Sequence, residues 1–122
     1  MLEVDVIGAG LPAPLVTEAC VLAAASAGIE DGHVAVEFVD EDRIAELNEA
    51  HRDEPGPTDV LSFPIDGKDE LPASVPRALG DVVLCPQVVG DRWCEPLVHG
   101  LLHLLGYDHG DEMEAREEAL RR

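Results

Sequence analysis

The chain has 122 residues, 46% of them hydrophobic, which is enough apolar material for one packed domain, expected over residues 1–122, and too little length for a second of enzyme size. Eight Lys and Arg face 26 Asp and Glu, a formal charge of −18, which excludes nucleic-acid binding by bulk positive charge and disfavours an anionic membrane surface as partner. A nucleic-acid substrate must therefore be held by a local site against a repulsive overall field.

Taken in chain order, Leu2–Ile7 (LEVDVI) alternates apolar and acidic residues, as a half-buried strand does. Pro12 to Gly28 is rich in Ala and Leu, with Leu15, Val16, Ala19, Leu22 and Ala23 at helical spacing, and Gly28 stands where a helix stop belongs. His33 to Val39 alternates again and is β-branched, which predicts a second strand. Asp40 offers an N-cap, Glu41 and Asp42 load the first turn with negative charge, and Ile44 and Leu47 mark a short amphipathic helix ending near Arg52. Asp53 to Pro57 (DEPGP) is a loop, Val60 to Pro64 (VLSFP) a strand, and Asp66 to Pro76 a polar loop. Asp81 to Leu84 reads as a fourth strand, introduced by Gly80 and closed by Pro86. Pro96 to Leu105 is apolar on all sides, the mark of a buried helix. Asp111 to Arg122 reads as a charged terminal helix with Met113, Ala115 and Leu120 as its apolar contacts. Strands and helices in this order point to an α+β or α/β domain with one small sheet.

Apolar stretches are broken by Glu18, Pro96 and His99 well short of a membrane span. The first residues carry acid where a signal peptide carries Lys or Arg, so a cytoplasmic location is expected. Cys20, Cys85 and Cys94 are scattered in apolar settings, as reduced core thiols are.

The chemistry concentrates in HGLLHLLGYDH, His99 to His109. His99 and His103 are four residues apart, so on a helix their rings stack on one face and can share a metal. Gly106 can end that helix and turn the chain back, which lets His109 approach the same ion. The spacing matches the zinc-peptidase pattern H-E-x-x-H-x-x-G-x-x-H at every position but one. The glutamate that serves as general base there is Gly100 here, which argues against peptide hydrolysis. Three histidines leave the fourth zinc position open, the catalytic form of such a site, although imidazole also suits nickel, iron(II) and copper. Asp108 neighbours a ligand, where a carboxylate can orient an imidazole, move a proton or simply cap a helix end. Thr58 and Asp59 precede the strand VLSFP and either line a cleft or form a turn. His51 is a further polar group beside Arg52, whereas Ser62 lacks the surroundings of a nucleophile elbow.

HGLLHLLGYDH resembles the signature of the YbeY family, zinc-dependent endoribonucleases of bacterial ribosomal RNA maturation. Two further blocks agree in order: Asn48, Arg52 and PTDVLSFP (Pro57 to Pro64), then LGDVVLCP (Leu79 to Pro86). The resemblance implies an α+β fold with a small mixed sheet of about four strands packed with helices. It implies His99, His103 and His109 as ligands of one zinc, and Arg52 as the basic residue beside the metal, where a guanidinium can clamp a phosphodiester. The implied activity is single-strand-type endoribonucleolytic cleavage in ribosomal RNA processing and ribosome biogenesis, with ribosomal RNA as substrate and ribosomal proteins as partners. The alternative in another class is a metal-bound ribosome assembly factor with little intrinsic cleavage, which the net charge favours. The chain departs from the family between Pro86 and His99, where a helical segment is shortened or lost.

Overall fold

The structure, a computed structural model, describes residues 2–66 and 77–105. Its elements run β1 (Leu2–Ile7), α1 (Ala13–Ser26), β2 (Gly32–Phe38), α2 (Glu41–Arg52), β3 (Val60–Pro64), β4 (Ala78–Leu84), α3 (Pro86–Val89), a 3₁₀ turn (Gly90–Arg92) and α4 (Cys94–Leu104). The sheet is mixed, in the order β1-β2-β4-β3, with β1, β2 and β4 parallel and β3 antiparallel to β4. This is the expected α+β arrangement.

Side chains that alternate along the strands divide the core into two layers. Val34, Val36, Val82 and Leu84 meet Val16, Cys20, Ala23 and Ala24 of α1 and Leu97, Leu101 and Leu102 of α4 on one face. On the other face Leu61, Val83 and Cys85 close over Ile44 of α2. The second layer reaches only the β3–β4 half of the sheet, so Glu3, Asp5 and Ile7 of β1 stay largely in solvent.

The Asp40 carboxylate accepts from the Arg43 N–H at 2.8 Å, the expected N-cap of α2. At the other end Asp53 takes a left-handed conformation (φ 56°) directly after Arg52, which turns the chain out of the helix. Strand β4 corrects the expectation that Gly80 merely introduces it. The strand begins at Ala78 and runs through Gly80, whose φ is +140° and which sits where the pairing with β2 slips by one residue. A Cβ there would lie 2.9 Å from the Pro64 Cα and 3.0 Å from the Leu104 Cδ2, so close packing of β3 and α4 requires a glycine. Between β4 and the histidine helix the chain forms the single turn of α3 and the 3₁₀ turn, with Trp93 packed onto the core. The predicted terminal helix, Asp111 to Arg122, and most of the polar loop before β4 lie outside the described residues.

Candidate functional site

Helix α4 buries Leu97, Leu101, Leu102 and Leu104 and leaves His99 and His103 half-buried on its remaining face. The i, i+4 spacing does what the sequence predicts: the rings meet edge to face with centroids 4.6 Å apart, and their Nε2 atoms lie 3.0 Å from one another. Two imidazole nitrogens that converge so closely either share one proton or aim two lone pairs at a common point. Tetrahedral zinc at 2.0–2.1 Å from each nitrogen would hold them about 3.3 Å apart. The donor pair thus fits a metal. Among the described residues no group of three or more His, Cys, Asp or Glu gathers to complete such a site. The third expected ligand, His109, lies outside the described residues, as do Gly106 and Asp108.

Gly100 has a packing reason. A Cβ built on it would lie 2.8 Å from Val60 Cγ2 and 3.1 Å from both Ser62 Oγ and Val82 Cγ1. The Ser62 hydroxyl donates to the Gly100 carbonyl at 2.8 Å. The glycine presses the histidine helix onto β3 and β4, and a glutamate has no room there.

The histidines face a cleft of about 700 Å³. Its floor is β3, with Asp59 and Ser62 at the surface; one wall is α4 with His99 and His103, and the other is the end of α2 with His51 and Arg52. Arg52 therefore shares one cleft with both histidines. Its Nη2 lies 3.4 Å from Glu54 Oε2, but both side chains are about half exposed, so the pair is worth little and yields to a better anion. His51 rests on Phe63, ring centroids 4.4 Å apart. Asn48, one turn earlier, is buried and donates from Nδ2 to the Gly56 carbonyl at 3.0 Å, tying the loop after Arg52 back to the helix. Sequence reasoning did not find Glu95, which also lines the cleft, because nothing local marks it.

His33 takes no part: it pairs with Asp5 at 2.7 Å on the exposed side of β1 and β2. The cysteines are free thiols. Burial, with a smaller contribution from Cys94, pushes the Cys20 thiol up to about 12, and burial followed by Glu95 raises that of Cys94. Both stay protonated at neutral pH, so neither is a ready thiolate ligand or nucleophile.

A family model described as endoribonuclease YbeY matches residues 13–121. Relatives named endoribonuclease YbeY include one from Beutenbergia cavernae, 46% identical over 99 residues, which cover 69% of this chain and 65% of that protein. Another, from Halorhodospira halophila, is 45% identical over 103 residues, 75% of this chain and 67% of that protein. The chain spans about two thirds of the length of these curated relatives. A solution structure of a Thermotoga maritima protein, 30% identical, covers 97% of this chain and 86% of its own with a TM-score of 0.62.

Proposed function

The chain belongs to the YbeY endoribonuclease family, and from that premise we propose that it is a metal-dependent endoribonuclease, a single-domain phosphodiester hydrolase of the cytoplasm that cleaves single-stranded segments of ribosomal RNA during ribosome biogenesis. The observation that carries the reading is the convergence of the His99 and His103 Nε2 atoms, 3.0 Å apart, on the cleft that Arg52 also lines. Among the described residues no helix is long and apolar enough to cross a membrane.

His99 and His103, with His109 as the third donor, hold one zinc in this proposal. Zinc supplies Lewis acidity when bound. The chain's own residues do the rest. Arg52 exchanges Glu54 for the phosphate and offsets the charge that builds on its oxygens, with both prongs of the guanidinium engaged. Asn48 and the turn at Asp53 fix the helix end that presents Arg52. Asp108, next to His109, orients that imidazole or carries a proton.

Peptide hydrolysis is disfavoured on two counts: the catalytic glutamate position is Gly100, pressed against β3, and of the outward N–H groups on the β3 edge that an extended peptide would join, that of Val60 is already taken by Asp59 and Pro64 has none. The net charge of −18 favours a second reading, a metal-bound assembly factor that binds ribosomal proteins. Incubating metal-loaded protein with ribosomal RNA, with and without ribosomal proteins, separates the two. Cleavage that chelation abolishes and zinc restores supports the nuclease. A zinc-loaded protein that associates with ribosomal particles and cuts nothing sinks it.

A further inference from the structure

Among the described residues, strand β3 forms one edge of the sheet and the floor of the cleft. Its ladder bonds to β4 fall on alternate residues. The Cys85 N–H donates to the Asp59 carbonyl at 3.1 Å, and Leu61 and Phe63 follow in step opposite Val83 and Asp81. The alternation turns the backbone groups of Val60, Ser62 and Pro64 outward, toward the open edge.

An ordinary edge presents donors and acceptors in equal number. This one has lost most of its donors. The Val60 N–H is taken by its own neighbour, donating to Asp59 Oδ1 at 2.8 Å. Pro64 has no N–H to offer. The strip therefore carries three carbonyls against the Ser62 N–H. An extended peptide needs both kinds of group in alternation and is badly matched. Phosphate oxygens need donors and are matched worse. The fitting ligand brings hydroxyl donors at a regular spacing. Outward carbonyls two residues apart along a strand lie about 6.8 Å from one another, close to the nucleotide repeat of a stretched single strand. The 2′-hydroxyl is the donor that RNA carries and DNA lacks.

We propose that the open edge of β3 is a ribose-reading strip, on which the carbonyls of Val60 and Ser62 accept hydrogen bonds from the 2′-hydroxyls of successive nucleotides. The inference rests on an RNA substrate and adds the element that separates RNA from DNA. Arg52 at the end of α2 holds the phosphate between them, and His51, seated on Phe63, stands beside the bases. In a chain of charge −18, neutral acceptors aimed at neutral hydroxyls are a contact that the overall field does not oppose.

The test is the affinity of the protein for a short unstructured RNA, its all-deoxy counterpart, and versions with single 2′-deoxy or 2′-fluoro sugars. Fluorescence anisotropy at one salt concentration reads each. RNA should bind at least about tenfold tighter than DNA, from two hydrogen bonds of about three- to tenfold each. A 2′-fluoro sugar accepts but cannot donate, so it should behave as the deoxy sugar. Asp59→Ala, which frees the Val60 N–H, and Pro64→Ala, which creates a new one, keep both carbonyls and add donors for the phosphates that the two strands share, so each should tighten both strands and leave the RNA preference in place. Thermal melts confirm that both variants are folded. The inference is overturned if the DNA strand binds as tightly as RNA, if neither strand binds, or if single 2′-deoxy and 2′-fluoro sugars bind as tightly as the all-ribose strand at every position. A protein that prefers RNA and cuts nothing overturns the nuclease and upholds the strip. One that cuts RNA and binds DNA equally does the reverse.

Discussion

Gly100→Ala tests how the histidine helix is seated. Off the sheet the change should stabilise, because alanine is favoured over glycine inside a helix by about 1 kcal/mol. Here the new methyl would lie 2.8 Å from Val60 Cγ2 and 3.1 Å from Ser62 Oγ and Val82 Cγ1, whereas carbon atoms rest at about 3.5–4.0 Å. Relief requires Val60 to leave its rotamer or α4 to retreat from β3 by roughly 0.5–1 Å. The retreat also stretches the 2.8 Å bond from the Ser62 hydroxyl to the Gly100 carbonyl. Overpacking of this kind costs about 1–3 kcal/mol. Adding the hydrogen bond, at about 1 kcal/mol, and subtracting the helix gain leaves a net loss of about 1–3 kcal/mol. Unfolding entropy of about 2.1 cal/mol/K per residue turns this into a fall in Tm of about 4–12 °C, read by calorimetry. His99 and His103 move together, so their spacing and the zinc content should survive. Their distance from Arg52 changes, and RNA cleavage should drop by about tenfold or more. Gly100→Glu, the zinc-peptidase residue, should not fold. A Gly100→Ala protein as stable and as active as the parent would refute the close approach of α4 to β3.

Arg52→Ala should leave zinc content and Tm nearly unchanged and lower RNA cleavage by about two orders of magnitude, with Arg52→Lys restoring little because an ammonium lacks the planar fork; parental cleavage by the alanine variant would reduce Arg52 to a surface ion-pair residue. His103→Ala should abolish stoichiometric zinc by elemental analysis, and a protein that still carries one zinc per chain would displace the site. Cys20 gives a pH prediction. The buried thiol stays protonated up to about pH 12 while the unfolded thiol ionises near 9.0, so the folded state binds more protons between those values and stability falls as pH rises through that window. Cys20→Ala should remove a loss of about 1.4 kcal/mol at pH 10 relative to pH 8, seen as a flatter Tm profile than the parent's; identical slopes would mean that the thiol is not sealed in the core.

Local chemistry explains which features the sequence discloses. Strands β1 and β3 are found at their expected bounds because alternation and flanking Gly or Pro are written within a few residues. The start of α2 follows from Asp40, whose cap is a contact three residues long. The His99–His103 pair is legible for the same reason, since four residues of helix fix their approach. Helix α4 begins at Cys94, ahead of the expected Pro96, because proline is tolerated throughout a first turn. The single turn of α3 is too short to have a period. What the sequence hides is long-range. Whether β3 is an edge or a central strand depends on where β4 returns, and β4 reaches its place beside β2 only by slipping a residue at Gly80. The same holds for Gly100. Within HGLLHLLGYDH it reads as a missing base, a statement about reaction class. Against Val60, Ser62 and Val82, it is the contact that lowers the histidines onto the cleft floor. A glutamate there would push α4 away from the strand that Arg52 faces, so the residue that argues against a peptidase mechanism is also the one that holds the His99–His103 face against β3.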